Sequence, residues 1–386
     1  MGQVCARLDL FDDAERFMRE ALALREQTFG DRSVERARSL QSLGQLDFRR
    51  GAYESAVGEL REALELQRAS AGGELGDVSS LLNDLAASLA HTRNDEEALR
   101  LHLEALDLRR SAEPISLPVA ESLNNLAALH FERGEFELAA ERLREARAIR
   151  GSILGENHPL SLQTCSNLAG ALWRTGDRAQ ARELVQQAET GFRALGGDGE
   201  DGLAGVLSSR AWIELEDGHV DAAEASLTEV LDLQSARLGS EHPAVAEILG
   251  KLAHVEHLLG RDTEARGLWE QVLTICRAPS ASPRALAAAL YSYAVLLHDV
   301  RSCAEAIPVL EESLAGYRSL SSADPLAVGR AELLLARCLA STGRPTDALG
   351  HQREAQRLLE QSAEATPAEL ARARQVLNEL DALAGH

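Results

Sequence analysis

The chain has 386 residues, of which 45% are hydrophobic and only 4% are aromatic, so it can form several domains or one long repeat array. Its net charge of −21 argues against binding to nucleic acid or to an anionic membrane, and favours a basic or polar partner. No apolar run reaches about 18 residues and no signal segment is visible, so no transmembrane helix is expected. The five cysteines form no CxxC pair, which predicts reduced thiols and a cytoplasmic location.

One alanine recurs at nearly constant spacing from the beginning of the chain to its end. The interval is 41 or 42 residues, and the positions are Ala14, Ala56, Ala98, Ala139, Ala181, Ala223, Ala265, Ala306 and Ala348. The residue twelve positions before each of these alanines is always Gly or Ala as well. Small side chains at both positions let two helices approach closely. The spacing therefore predicts nine copies of a helix pair, and the absence of two-residue alternation argues against strands.

A glycine precedes the repeating alanine by five residues in six of the nine copies. Glycine readily adopts the left-handed conformation that closes a helix, so this column predicts a tight turn between the two helices. Asp9, Arg93 and Arg301 replace the glycine in the first, third and eighth copies. We expect a less tight turn in those three copies.

The connections between copies also repeat. In LGENHP (154–159), Gly155 is expected to end one helix and Pro159 to begin the next, and LGSEHP (238–243) follows two periods later. The glycine-rich and acidic segment GGDGEDG (196–202) predicts a lengthened connecting loop. Weak calcium binding is the alternative for this segment, although its carboxylates do not follow the order of a calcium-binding loop.

The two ends of the chain differ in how well they would cover a stack of repeats. Residues 1–8 provide only the last half of a first helix, which suggests that a preceding segment is missing; the alternative is a short helix that frays. Residues 366–385 read as one amphipathic helix, with Thr366 as its N-cap and Pro367 in its first turn. We therefore expect a repeat array over residues 1–364 and a capping helix over 365–386.

This pattern resembles the tetratricopeptide repeat, in the 42-residue form of kinesin light chains. The matching stretches are LGENHP, LGSEHP, NNLAALH (124–130), SNLAGAL (166–172) and GAYESAVGELREALELQR (51–68). The resemblance implies an all-α fold, a right-handed superhelical α-solenoid of about nine helix-turn-helix repeats. It also implies that the first helix of each repeat lines an inner, concave face that binds a protein or a peptide.

Polar residues recur on these first helices two positions before the small residue. They include Asp84, Asn125, Asn167, Ser209 and Lys251. Such a ladder offers hydrogen-bond donors and acceptors to an extended peptide, and the resemblance favours Asn125 and Asn167 as groove residues. The alternative is that these side chains bind neighbouring helices and fix the geometry of the repeats.

Further candidates for the binding groove lie on the same helices. They are Arg49, Trp173, Arg174, Trp212 and His254, and Trp and Arg are enriched where binding energy concentrates. Core packing is the alternative for Trp173 and Trp212. His254 and His257 lie one helical turn apart but lack further ligands in the sequence, so no metal and no cofactor are expected.

The sequence shows no motif of a catalytic site. It has no GxxxxGK[ST], HRD, DFG or GxSxG segment. Two hypotheses follow: a non-catalytic scaffold that binds a protein or peptide segment, or the regulatory and sensory repeats of a larger bacterial signalling enzyme such as a Ser/Thr kinase or an NTPase. Under either hypothesis, neither nucleic acid nor a membrane is expected as a partner.

Overall fold

The computed structural model describes residues 11–70, 75–278, 281–320, 324–362 and 365–384, and all regular secondary structure in them is helical. The chain divides into two compact units, Met1–Val206 and Leu207–His386. In the first unit the helices are α1 (Phe11–Phe29), α2 (Val34–Arg49), α3 (Tyr53–Ala69), α4 (Leu75–His91), α5 (Asp95–Ala112), α6 (Leu117–Glu132), α7 (Phe136–Leu154), α8 (Pro159–Thr175) and α9 (Arg178–Leu195). The unit boundary falls within α10 (Glu200–Glu216).

The second unit continues with eight further helices. They are α11 (Val220–Leu238), α12 (Pro243–Leu258), α13 (Asp262–Cys276), α14 (Pro283–Asp299), α15 (Cys303–Ser319), α16 (Pro325–Ser341), α17 (Pro345–Gln361) and α18 (Pro367–Ala384). We call the first helix of each pair the A helix (α2, α4, α6, α8, α10, α12, α14, α16) and the second the B helix. In both units the A helices other than α10 pack on the B helix that follows them, so the predicted all-α fold of stacked helix pairs is confirmed.

The small-residue columns lie where the two helices of a pair meet. All nine repeating alanines, from Ala14 to Ala348, are fully buried. On the A helices the small residues from Ala86 to Ala336 are buried as well. At Gly44 a Cβ atom would lie 2.6 Å from Cγ of Leu60 on α3, which is too close for a side chain. The period seen in the sequence is therefore set by close contact between helices.

The turn between the paired helices is equally tight with or without glycine, so the expectation of a looser turn in the third and eighth repeats is wrong. Arg93 and Arg301 take φ angles of 62° and 60°, against 74° for Gly134. The N–H of Arg93 donates to Ala90 over 3.1 Å, and the N–H of Gly134 donates to Phe131 over 3.0 Å. Packing of the helix pair imposes the left-handed conformation on arginine despite its steric cost. Asp9 of the first repeat lies outside the described residues.

Each LGxxHP connection ends one helix and caps the next. Gly155 takes a φ of 90° at the end of α7, as its position in the sequence suggests. The His158 side chain then caps α8, because its Nδ1 accepts a hydrogen bond from the N–H of Leu160. His242 does the same for Ala244 at the start of α12. The histidine therefore acts as the N-cap residue, a position that Ser, Thr, Asp or Asn usually occupies.

The glycine-rich segment before α10 is shorter than the predicted loop. Only Gly196–Gly199 forms a connecting 3-10 turn, and α10 begins at Glu200. The ring of Phe192 explains the glycine at position 202, since a Cβ there would lie 2.0 Å from the ring carbon Cε1. The expected long loop is therefore wrong, because close packing of α9 and α10 accounts for part of the glycine content.

The last helix, α18, packs against α17. Its N-terminus has a reciprocal cap: the N–H of Glu369 donates to the Thr366 hydroxyl, while the N–H of Thr366 donates to the Glu369 carboxylate. Ala373 of α18 is fully buried, and its carbonyl accepts a hydrogen bond from the Gln352 side chain of α17. The first half-helix predicted for residues 1–8 lies outside the described residues. Within the described ranges, no helix is long and apolar enough to cross a membrane.

Candidate interaction surface

Asp84, the first of the predicted ladder residues, links two successive A helices. Its carboxylate accepts hydrogen bonds of 2.8 Å each from the Gln41 and Gln45 side chains of α2. Burial raises the pKa of Asp84 above its usual range, and the two amide donors oppose that rise. At this position the structural alternative applies, because the carboxylate is held between neighbouring repeats.

The two predicted asparagines differ in their surroundings. Asn167 donates to Asn124 of α6 over 3.0 Å and accepts from Gln163 over 3.1 Å, so it connects α8 to the preceding A helix. Asn125 is half-buried, and its side chain makes no hydrogen bond to any residue in the described part of the chain. An amide in this state has a free carbonyl and two free N–H donors to offer a ligand.

Small residues flank the asparagines on the same helices. Ala128 is exposed one turn after Asn125, and Gly170 is half-buried one turn after Asn167. Ala87 takes the equivalent position on α4 and is also half-buried. Because none of these side chains extends beyond Cβ, a partner backbone can come close to the A helices there. We call Asp84, Ala87, Asn125, Ala128, Asn167 and Gly170, together with Arg174, the A-helix surface of the first unit.

The aromatic and basic candidates of the first unit separate into packed and accessible groups. Trp173 is only 5% exposed, and the guanidinium groups of Arg178 and Arg182 lie 4.9 and 5.3 Å from its ring centre. Arg174 is exposed, with its guanidinium 4.1 Å from the ring centre of Phe136. Arg49 is exposed too. Trp173 is therefore part of the packed interior, whereas Arg174 and Arg49 are accessible to solvent.

The other four candidates belong to the second unit. Ser209 and Trp212 are half-buried on α10, and both make contacts with other groups of the protein. Lys251 and His254 are exposed one helical turn apart on α12, where a partner could reach either side chain. His257, the neighbour considered for metal binding, is paired with Asp262 through Nδ1 over 2.7 Å. Among the described residues, no group of three potential metal ligands occurs.

The structure also contains a buried polar chain that the sequence analysis missed. Nδ1 of His102 on α5 lies 2.8 Å from the Asn83 carbonyl, and the Asn83 amide donates to Ser122 of α6 over 2.9 Å. Burial lowers the pKa of His102 to about 4, so the neutral ring donates from Nδ1. Arg109 also donates to Ser122 over 2.9 Å. One repeat later Arg150 donates to Thr164 over 2.7 Å, a recurrence that could have been recognised in the sequence.

The fold and its columns of small residues define an α-helical repeat protein. Residues 1–69, 77–152, 118–194 and 202–278 match the tetratricopeptide repeat, which together is more than half of the chain. The chain therefore belongs to the tetratricopeptide repeat family. Its repeats are of the kinesin-light-chain-like kind, which confirms the resemblance seen in the sequence.

Two known proteins resemble this chain, one in sequence and one in structure. Protein KINESIN LIGHT CHAIN-RELATED 1 of Arabidopsis thaliana is 24% identical over 294 residues, covering 72% of this chain and 46% of that protein. The chain thus spans about half the length of the curated relative that it matches. BtubC (BKLC) from P. vanneervenii is 21% identical with a TM-score of 0.52, covering 59% of this chain and 91% of that one.

A second solved structure covers more of this chain. It is a signal transduction ATPase with numerous domains from Pyrococcus horikoshii, which carries a tetratricopeptide repeat sensor. The identity is 14% and the TM-score 0.62, with 87% of this chain and 50% of that chain covered. At these identities the likeness shows the fold that the proteins share. Proteins built of tetratricopeptide repeats mediate protein–protein interaction, and the choice of partner depends on the side chains of each chain.

Proposed function

We propose that this protein is a non-catalytic scaffold of the cytoplasm, and that the A-helix surface of its first unit binds an extended segment of a partner protein. The observation that carries the proposal is the Asn125 side chain, which is half-buried and without a hydrogen-bond partner in the described residues. A polar group held partly out of water gains more from a ligand hydrogen bond than a fully exposed one does.

The neighbouring residues favour recognition of a peptide backbone. Asn167 is held in one orientation by Gln163 and Asn124, so less conformational entropy is lost when a ligand binds beside it. The small side chains of Ala128 and Gly170 leave room for the backbone itself. A peptide amide has one donor and one acceptor, which matches the carbonyl and N–H groups of the free Asn125 side chain.

The charge of the chain suggests the composition of the partner segment. A net charge of −21 raises the association rate of cationic partners and lowers that of anionic ones. We therefore propose a segment that contains Lys or Arg. The exposed Arg174 beside the ring of Phe136 would then contact a carbonyl or an aromatic side chain rather than a basic one.

Selection of peptides followed by calorimetry tests this proposal. Peptides are selected on the immobilised full chain from a random library, and the affinity of a selected peptide is measured by titration calorimetry. Asn125→Ala should weaken binding at least about tenfold, which corresponds to about 1.4 kcal/mol. Asn157→Ala is the matched control, since Asn157 is exposed in the turn between α7 and α8. Equal affinity for wild type, Asn125→Ala and Asn167→Ala would exclude this surface as the binding site.

A second function is favoured by the likeness to the repeat sensor of the Pyrococcus horikoshii ATPase. In that case the repeats would report a bound ligand to a catalytic domain of a larger bacterial signalling enzyme. The two functions predict different domain compositions for the gene that encodes the chain. An in-frame kinase or NTPase domain beside the repeats would support the sensory role, and a gene that encodes the repeats alone would support the scaffold.

A further inference from the structure

Successive A helices of the first unit are joined by a polar contact that recurs in the same register. The residue three positions before the small residue meets the residue two positions before the small residue of the next A helix. Between α2 and α4, the Gln41 amide donates to the Asp84 carboxylate over 2.8 Å. Between α6 and α8, the Asn167 amide donates to the Asn124 carbonyl over 3.0 Å. We call this contact the A–A bond.

Between α4 and α6 the same two positions hold Asn83 and Asn125, yet their side chains are directed differently. The Asn83 carbonyl lies 2.8 Å from Nδ1 of His102, and its amide donates to the Ser122 hydroxyl over 2.9 Å. Asn83 is therefore buried, at 4% exposed, whereas its counterpart on α6 is half-buried. The bond that would engage Asn125 is replaced by a bond inside the repeats.

The residue type at position 102 accounts for this difference. His102 lies four residues after the repeating alanine of its B helix, where seven of the nine repeats have an apolar side chain. These are Met18, Leu60, Leu143, Val185, Leu227, Trp269 and Leu310. Leu143 takes the position of His102 one repeat later and is buried as well. Because Leu143 has no polar group to offer, Asn124 turns to the next A helix and accepts from Asn167.

The chemistry of the imidazole ring favours the inward position of Asn83. Burial lowers the pKa of His102 to about 4, so the ring is neutral near pH 7 and its Nδ1–H donates to the Asn83 carbonyl. Ser122 accepts from the Asn83 amide, and from Arg109 over 2.9 Å. With its carbonyl and its amide both directed into the interior, Asn83 presents neither group to Asn125.

We propose that His102 is a positioning residue for ligand binding, which holds Asn83 inward and so leaves the Asn125 side chain free for the partner segment. This inference rests on the proposed function and names the residue that selects Asn125 for it. With leucine at position 102, the Asn83 carbonyl would be buried without its donor, which is unfavourable. Asn83 would then turn to α6 and form the A–A bond with Asn125, and a partner segment would have to compete with that bond.

Side-chain amide NMR signals of the isotope-labelled full chain test the step that needs no partner. The signal pair of Asn125 is assigned by its loss in Asn125→Ala. In His102→Leu we expect this pair to shift and its protons to exchange more slowly with water, because they enter a hydrogen bond. His102→Gln retains an N–H donor for the Asn83 carbonyl and should leave the pair at its wild-type position.

The affinity of a peptide selected on the full chain tests the consequence for binding. His102→Leu should weaken binding about threefold to tenfold, which is the usual net effect of one hydrogen bond. Adding Asn83→Ala to His102→Leu removes the competing bond and should restore the wild-type affinity. A second truncation would not repair general damage to the fold, so this rescue separates positioning from a purely structural role.

The next repeat offers the reverse substitution. Leu143→His should draw Asn124 inward to the hydroxyl of Thr164, which takes the position of Ser122 on α8. Asn167 would then lose its bond to Asn124, and its amide signals should shift and exchange faster. This variant tests the inference independently if His102→Leu does not fold.

Two results would overturn the inference. One is an unchanged Asn125 signal pair in His102→Leu together with unchanged Asn167 signals in Leu143→His. The other is a double variant that binds as weakly as His102→Leu alone. Selected peptides that bind Asn125→Ala as tightly as wild type would instead refute the proposed function, and the amide signals alone would then decide whether His102 controls Asn83.

Discussion

The strained turns at Arg93 and Arg301 lead to a direct prediction about stability. Both residues take the left-handed conformation with φ near 60°, which costs a non-glycine residue roughly 1–2 kcal/mol. Glycine removes that cost but loses about 0.4–1 kcal/mol through the greater entropy of the unfolded chain. We therefore expect Arg93→Gly and Arg301→Gly each to stabilise the protein by about 0.5–1 kcal/mol relative to the alanine variant at the same site.

The alanine variants are the matched controls, because Arg93 makes a further interaction that both substitutions remove. Urea unfolding of the full chain, followed by circular dichroism, gives the midpoint and slope for each variant. Hydrogen exchange on peptides of each unit shows whether the gain at Arg93 is confined to the first unit and the gain at Arg301 to the second. Equal stability of Arg93→Gly and Arg93→Ala would refute the claim that the turn stores strain. Gly134→Ala should show the opposite sign, with a loss of about 1 kcal/mol.

Three further predictions concern histidines. His158→Ala should lower stability by about 1 kcal/mol through loss of the α8 cap, and His158→Asn should restore most of it in the same urea assay. His102 has a folded pKa of about 4, below the unfolded value, so the unfolded state binds the proton more readily. Stability should therefore fall as pH drops from about 6.5 to 4, by up to about 3 kcal/mol, and His102→Gln should flatten that slope. The bond to the buried Glu332 raises the pKa of His351, so its stabilisation should be lost as pH rises through the raised pKa, and His351→Gln should remove this dependence.

The fold could be predicted from the sequence because its signals are local and repeated. Each helix pair needs two small residues at a fixed separation, and the chain repeats that requirement nine times. Glycine at the turn proved less informative, since Arg93 and Arg301 form the same turn through the packing around them. The Gly-rich segment before α10 does not indicate a long loop, because the close contact with Phe192 also requires glycine at position 202.

The candidate surface could be predicted only in outline. The sequence placed Asp84, Asn125 and Asn167 in one register, but it did not indicate that Asp84 and Asn167 bind neighbouring A helices while Asn125 lacks a partner in the described residues. It also offered no means to choose between a buried and an exposed Trp173, which is 5% exposed in the structure. The role of each side chain depends on what the adjacent repeat presents to it.

The amino-acid sequence by itself determined the class of fold, the length of the repeat and the helices that carry the polar ladder. These features follow from periodic patterns in which the helical geometry fixes the spacing of small and apolar residues. Only the tertiary structure decided which polar groups are paired and that His102 is buried and neutral. Those facts depend on contacts between different helices, where the identity of one residue carries no information about the residue that packs against it.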